Sequence, residues 1–124
     1  MTTQEFNIAL THEAISEALA DREAIVWRDR RLTYGDLTDR SRRLATYLHR
    51  AGFGVRRERA DLAPHESGQD HVALYLYNGN EYLEGMLGAF KSRCVSVNVN
   101  YRYVAAELDY LLNNSDSVVV VVER

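Results

Sequence analysis

The sequence predicts an α/β fold, part of a parallel sheet with flanking helices. Residues 90–122 read as strand, turn, helix, strand, the alternation a parallel sheet requires. Residues 71–77, HVALYLY, supply an earlier strand, and a helical pattern separates it from the next. Two consecutive β-α-β units are therefore expected, parallel and right-handed. The third observation is the last strand, where residues 118–122 are all valine. A strand apolar at every position is expected to be buried on both faces and flanked by neighbours. Those neighbours are either an earlier strand or part of something larger. Left uncovered, such an edge invites self-pairing and aggregation.

From the amino terminus, Thr11 is the expected cap of a short helix reaching about Ala20, with Ala14, Ile15, Ala18 and Leu19 at helical spacing. Residues 24–27 and 31–33 flank a turn at Arg28, Asp29 and Arg30 and predict a small hairpin. Thr33 and Asp36 have capping-box spacing. The helix they open runs from about Tyr34 to Arg50, with Leu37, Leu44, Ala45 and Leu48 on one face, and Gly52 or Gly54 ends it.

Residues 55–70 change texture: they hold the only proline, seven charged side chains besides His65 and almost no apolar period. They read as a long, mobile surface loop, an insertion at about 56–70 that trypsin should cut first. Asn78 is the expected cap of the next helix, whose stripe is Tyr82, Leu83, Met86, Leu87 and Phe90. A strand at 94–99, a helix at 104–114 and a strand at 117–122 complete the chain.

Composition narrows the function. At 124 residues one domain is expected, and no apolar run approaches membrane-spanning length. The acidic amino terminus is not a signal peptide. The single cysteine, Cys94, excludes an internal disulfide, so a cytoplasmic setting is the expectation. A net charge of −3 argues against nucleic acid as partner. Charge is uneven, however. Residues 28–59 hold ten arginines against four acidic residues, whereas the remainder holds five basic and fourteen acidic. Such a stretch either faces solvent or contacts phosphates, a partner or the inner face of a membrane.

No residues converge on catalysis. Gly79, Gly85 and Gly88 are too widely spaced for a dinucleotide turn, and no glycine loop with lysine cradles a phosphate. The four histidines lack metal spacing. No serine has a nucleophile-elbow context. Glu81 and Glu84 read as solvated helix-face carboxylates. The catalytic and metal sets are therefore empty. One ligand candidate remains, residues 100–103, beyond the carboxyl end of a parallel strand where open α/β sheets bind ligands. Tyr101 and Tyr103 offer stacking faces and Arg102 a phosphate donor, unless the tyrosines simply pack on the following helix.

LTYGDL at 32–37 with the following RSRRLATYL, VALYLYNGNEYLEGMLG at 72–88, and FKSRCVSVNVNYRYVAAELDYLLNNSD at 90–116 together resemble the adenylate-forming superfamily. Their order and spacing are similar to AMP-forming acyl-CoA synthetases, the fatty-acid–CoA ligases. The resemblance covers residues 6–124 as a partial AMP-dependent synthetase/ligase domain, the N-terminal part of the large domain. It implies a family reaction in which ATP converts a carboxylate to an acyl-adenylate and coenzyme A then takes the acyl group. ATP, Mg2+ and coenzyme A serve that full-length reaction, with fatty or other carboxylic acids as substrates. The phosphate loop, the adenine segment and the catalytic lysine of the family fall outside this stretch. The chain alone is expected to bind no cofactor, to be inactive, and to need a complementing C-terminal fragment. The resemblance also places Asn100, Tyr101, Arg102 and Tyr103 near the path of the coenzyme A nucleotide. Two departures stand out: the loop at 56–70 is longer than usual, and Arg93, Cys94 and Ser96 replace the small residues and proline common there. The rival expectation is a non-catalytic module that binds a protein or membrane through the arginine-rich helix and loop. A small nucleotide-binding domain is a third, and it lacks a phosphate-binding turn.

Overall fold

The computed structural model describes residues 6–124. Helix α1 (Ile8–Ala18) is followed by an antiparallel hairpin of β1 (Glu23–Trp27) and β2 (Arg30–Thr33), then α2 (Tyr34–Arg50). After the loop come β3 (His71–Tyr75), α3 (Asn80–Lys91), β4 (Val95–Val99), α4 (Ala105–Asn114) and β5 (Ser117–Val122). The second sheet has the order β4-β3-β5, and β3 is parallel to both neighbours. The two expected β-α-β units are present, with β3 rather than β4 beside the last strand.

Local chemistry fixes the helix ends. Asn7, not Thr11, caps α1: its Oδ1 accepts the Leu10 amide at 2.9 Å, while the Thr11 hydroxyl donates back to the Asn7 carbonyl. The α2 capping box forms in both directions between Thr33 and Asp36. At the other end Gly52 adopts φ 89°, the left-handed conformation glycine reaches without strain. The Gly52 amide then donates to His49 and the Phe53 amide to Leu48, which is a Schellman closure. Phe53 packs on the cluster that contains Leu48, the hydrophobic contact that usually accompanies that motif. Helix α3 starts one residue later than expected, with Gly79 rather than Asn78 as its cap and no side-chain hydrogen bond there.

The core joins Leu48 of α2 to Val72, Leu74 and Leu76 around β3, with Ala89 and Cys94, and Val119 and Val121 of β5 pack against it. Gly85 and Gly88, unused by any nucleotide motif, have a packing role. A Cβ on Gly85 would sit 2.9 Å from Leu74, and one on Gly88 would sit 2.7–2.9 Å from Leu44. Their missing side chains let α3 press against both the sheet and α2.

Three expectations are corrected. β5 is not buried on both faces. Val118, Val120 and Val122 are 54%, 41% and 56% exposed, because only the face holding Val119 and Val121 is covered and only one edge is paired. Glu84 is not solvated but 8% exposed: Arg40 grips it through Nε at 2.5 Å, and Asn80 donates to it at 2.9 Å. The loop is anchored rather than loose. Val55 and Gln69 form an antiparallel bridge, Asp70 accepts from the Gly54 amide and from Arg56, and Glu66 accepts the Ala63 amide. Burial pushes the Asp70 carboxyl up, but the Arg56 and Gly54 hydrogen bonds outweigh it and hold the group below its ordinary range.

Candidate functional site

The candidate site is the turn that leaves β4. Asn100 folds it from both its backbone and its side chain: its carbonyl accepts the Tyr103 amide at 3.0 Å, and its Oδ1 accepts the Arg102 amide at 3.0 Å. This is the turn-forming habit of asparagine. Asn100 therefore shapes the turn and spends its carbonyl oxygen inside it. The same turn is pinned to β3, where the Tyr75 hydroxyl donates to the Tyr103 carbonyl at 2.7 Å.

The two tyrosines of the turn differ in their surroundings. Tyr103 is half-buried at the helix approach, whereas Tyr101 turns to Tyr77, their ring centroids 5.0 Å apart and tilted by 46°. Both rings keep open surface, at 38% and 61% exposure. The Arg102 guanidinium lies 5.5 Å from the Tyr101 ring centroid, and its Nε donates to the Tyr101 hydroxyl at 3.2 Å. A planar cation and two aromatic faces are thus held together at the carboxyl ends of β3 and β4. Such a surface can stack a flat base and meet a phosphate.

Tyr77 is the member that sequence reasoning missed. Read as part of a strand, it belongs to a stretch that leaves the sheet after Tyr75. There its amide donates to the Glu123 carboxylate at 3.0 Å instead of to a ladder. It also lines a cleft of about 710 Å³ with Trp27, Arg30, Asn80 and Arg124. The alternating apolar pattern of HVALYLY gives no sign of where pairing stops.

Away from the turn, most arginines of residues 28–59 are paired with carboxylates. Arg30, Arg31, Arg40, Arg42, Arg43, Arg56 and Arg57 each meet a carboxylate. Apart from Asp39, those carboxylates come from outside residues 28–59. Six of these pairs therefore join the arginine-rich stretch to the acidic remainder. Lys91 is buried and bonded to Glu13 and Ser41, both at 2.8 Å. Together with Arg42 it ties α1 to α2 and α3. The Arg42 hydrogen bond is the main force on Glu13, and with Lys91 it outweighs burial and lowers that carboxyl to about 2. Cys94 is buried, and burial pushes its thiol up, so it is a packing residue rather than a nucleophile.

No three His, Cys, Asp or Glu side chains converge among the described residues. No helix among the described residues is long and apolar enough to cross a membrane.

The sequence model of the AMP-binding enzyme family matches residues 12–124. The chain is 48% identical over 120 residues to the medium-chain acyl-CoA ligase Mig of Mycobacterium avium, covering 97% of this chain and 22% of that protein. It is 41% identical over 118 residues to a medium/long-chain-fatty-acid–CoA/3-oxocholest-4-en-26-oate–CoA ligase of Mycobacterium tuberculosis, covering 95% of this chain and 19% of that one. The inhibitor-bound N-terminal domain of FACL13 from Mycobacterium tuberculosis superposes with a TM-score of 0.79 at 27% identity, over 95% of this chain and 27% of that domain. The chain thus spans about a fifth of the length of the curated relatives it matches. With nearly every described element inside the family match, the chain belongs to the AMP-binding enzyme family.

Proposed function

We propose that residues 6–124 are the N-terminal part of the large domain of an ATP-dependent acyl-CoA synthetase. The family reaction converts a carboxylate, ATP and coenzyme A to acyl-CoA, AMP and pyrophosphate. Fatty or other carboxylic acids are the substrates, and ATP, Mg2+ and coenzyme A serve the full-length enzyme. The observation that carries this reading is the family match over 12–124 together with 48% identity to a medium-chain acyl-CoA ligase.

In this reading the segment contributes scaffold and one binding surface, not chemistry. Among the described residues we find no positioned set of donors for a transferring phosphate, which is where adenylation needs its stabilisation. The chain therefore makes no acyl-adenylate alone, and a complementing C-terminal fragment supplies the missing machinery. Its setting is cytoplasmic, with any membrane contact peripheral.

The binding surface is the turn at 100–103. Asn100 orients the turn, Tyr101 and Tyr103 bracket it, and Arg102 offers a planar fork to a phosphate of the coenzyme A nucleotide. Tyr77 supports this assignment by completing the aromatic face. The test uses a full-length relative carrying this segment. There, Arg102→Ala raises the apparent KM for coenzyme A and leaves the adenylation half-reaction nearly unchanged. A fall in adenylation without a change in coenzyme A dependence makes Arg102 structural. The rival reading, a module binding through the arginine-rich helix and loop, has less support, because five of those arginines are already engaged with carboxylates.

A further inference from the structure

The loop at 56–70 sets a serine hydroxyl on a histidine ring at the end of the sheet opposite the turn at 100–103. His71 opens β3, whereas that turn follows β4, which runs parallel to β3. The His71 Nδ1 lies 2.6 Å from the Ser115 carbonyl oxygen, and its Nε2 lies 2.7 Å from the Ser67 Oγ. A carbonyl oxygen can only accept, so Nδ1 carries the ring proton. In the neutral imidazole Nε2 then holds the lone pair and accepts the Ser67 hydroxyl proton. The three groups come from the loop, the start of β3 and the residue that caps the end of α4.

Ser67 is held in place for this contact. On one side the Glu66 amide donates to the Ala63 carbonyl at 3.1 Å. On the other the Gly68 carbonyl accepts the Arg56 and Arg57 amides at 2.6 Å and 3.0 Å. The serine is nonetheless exposed. With His71 it opens onto a cavity of about 300 Å³ that Arg57, His65 and Asp116 also line.

We propose that Ser67 is a nucleophile that takes an acyl group from small activated carboxylic esters. His71 is its general base, and the Ser115 carbonyl orients the ring. A serine becomes reactive when an adjacent base takes its proton and a third group fixes that base. In the step, Ser67 Oγ attacks the ester carbonyl carbon and its proton passes to His71 Nε2. The Oγ–carbon bond forms, and the bond from that carbon to the leaving oxygen breaks, its electron pair staying on the oxygen. The imidazolium passes the proton to the leaving oxygen or, when that oxygen leaves as a stable phenolate, to water. The products are an acyl-Ser67 ester and an alcohol or phenolate. The carbonyl orients the ring as a carboxylate would, but it bears no full charge to stabilise the imidazolium, which restricts the reaction to good leaving groups. The size of the cavity restricts it to small acyl groups. This chemistry lies outside adenylation and stands whether or not the chain works in acyl-CoA synthesis.

The test treats the 124-residue chain with p-nitrophenyl acetate and follows acetylation of each peptide by mass spectrometry over time. The expected result is that Ser67 of the native chain is acetylated about a hundredfold faster than the same serine in the urea-unfolded chain. Ser67→Ala removes that label. His71→Gln slows labelling of Ser67 by about the same hundredfold, with an unchanged far-ultraviolet spectrum. A serine that only anchors the loop is labelled no faster in the native chain than in the unfolded one, and that result overturns the proposal. A folded His71→Gln variant that labels Ser67 at the unaltered rate overturns it too. Should His71→Gln lose the native spectrum, the native-to-unfolded ratio of the unaltered chain decides alone.

Discussion

At the residue scale, two glycines show how a sequence feature can be dismissed for one role and matter for another. A Cβ on Gly88 would meet the Cβ, Cγ and Cδ2 of Leu44 at 2.7–2.9 Å, too close for a flexible tip alone to absorb. Gly88→Ala should gain about 1 kcal/mol of helix propensity and lose about 1–3 kcal/mol to overpacking, a net destabilisation in urea unfolding. A gain in stability would mean that α2 and α3 separate easily. Sequence spacing showed only that Gly85 and Gly88 fall inside a helix. Their use depends on which neighbours the fold brings to 3 Å, and that is not encoded locally. Glu84 is the same case. Its i,i+3 relation to Glu81 reads as a solvated pair, and only the long-range approach of Arg40 and Asn80 makes it a buried one.

At the element scale, α1 is held by a polar junction sensitive to acid. Burial, reinforced by Lys91, lowers the pKa of His12 below its usual 6.5, and Glu13 is lowered from 4.5 to about 2. Both depressions act in one direction. Stability is full above the unfolded values, begins to fall below pH 6.5 as His12 protonates, and falls further between 4.5 and about 2 as Glu13 does. Amide exchange should therefore show α1 opening before α2 and α3 as pH drops. Glu13→Gln should weaken α1 at pH 7 and flatten the lower part of the profile. Uniform opening of all helices would contradict the assignment. The loop at 56–70 makes a second element-scale prediction. Gly68 is enclosed against the Arg57 carbonyl and Leu62, so a Cβ there displaces backbone. Trypsin should cut at Arg56, Arg57 and Arg59 slowly in the unaltered chain and quickly in Gly68→Ala. Equal rates would restore the picture of a loose loop. Elements with local signals, such as the capping box at Thr33 and Asp36, were legible in the sequence. The loop was not, because its anchors are hydrogen bonds between residues about fifteen apart, with no apolar period to announce them.

At the scale of the whole molecule, the parallel α/β architecture was legible because each strand and helix carries its own period. The strand order was not: β5 joins β3 rather than β4, and five valines in a row do not say which face is covered. The turn from Asn100 to Tyr103 was legible, whereas the approach of Tyr77, from the stretch that follows β3, was not. The central proposal is that the chain carries scaffold and one wall of a coenzyme A path but no adenylation machinery. Pyrophosphate release from ATP with a fatty acid and Mg2+ tests it most directly. The chain alone should release no more than a no-protein control, and turnover above that control would contradict the account.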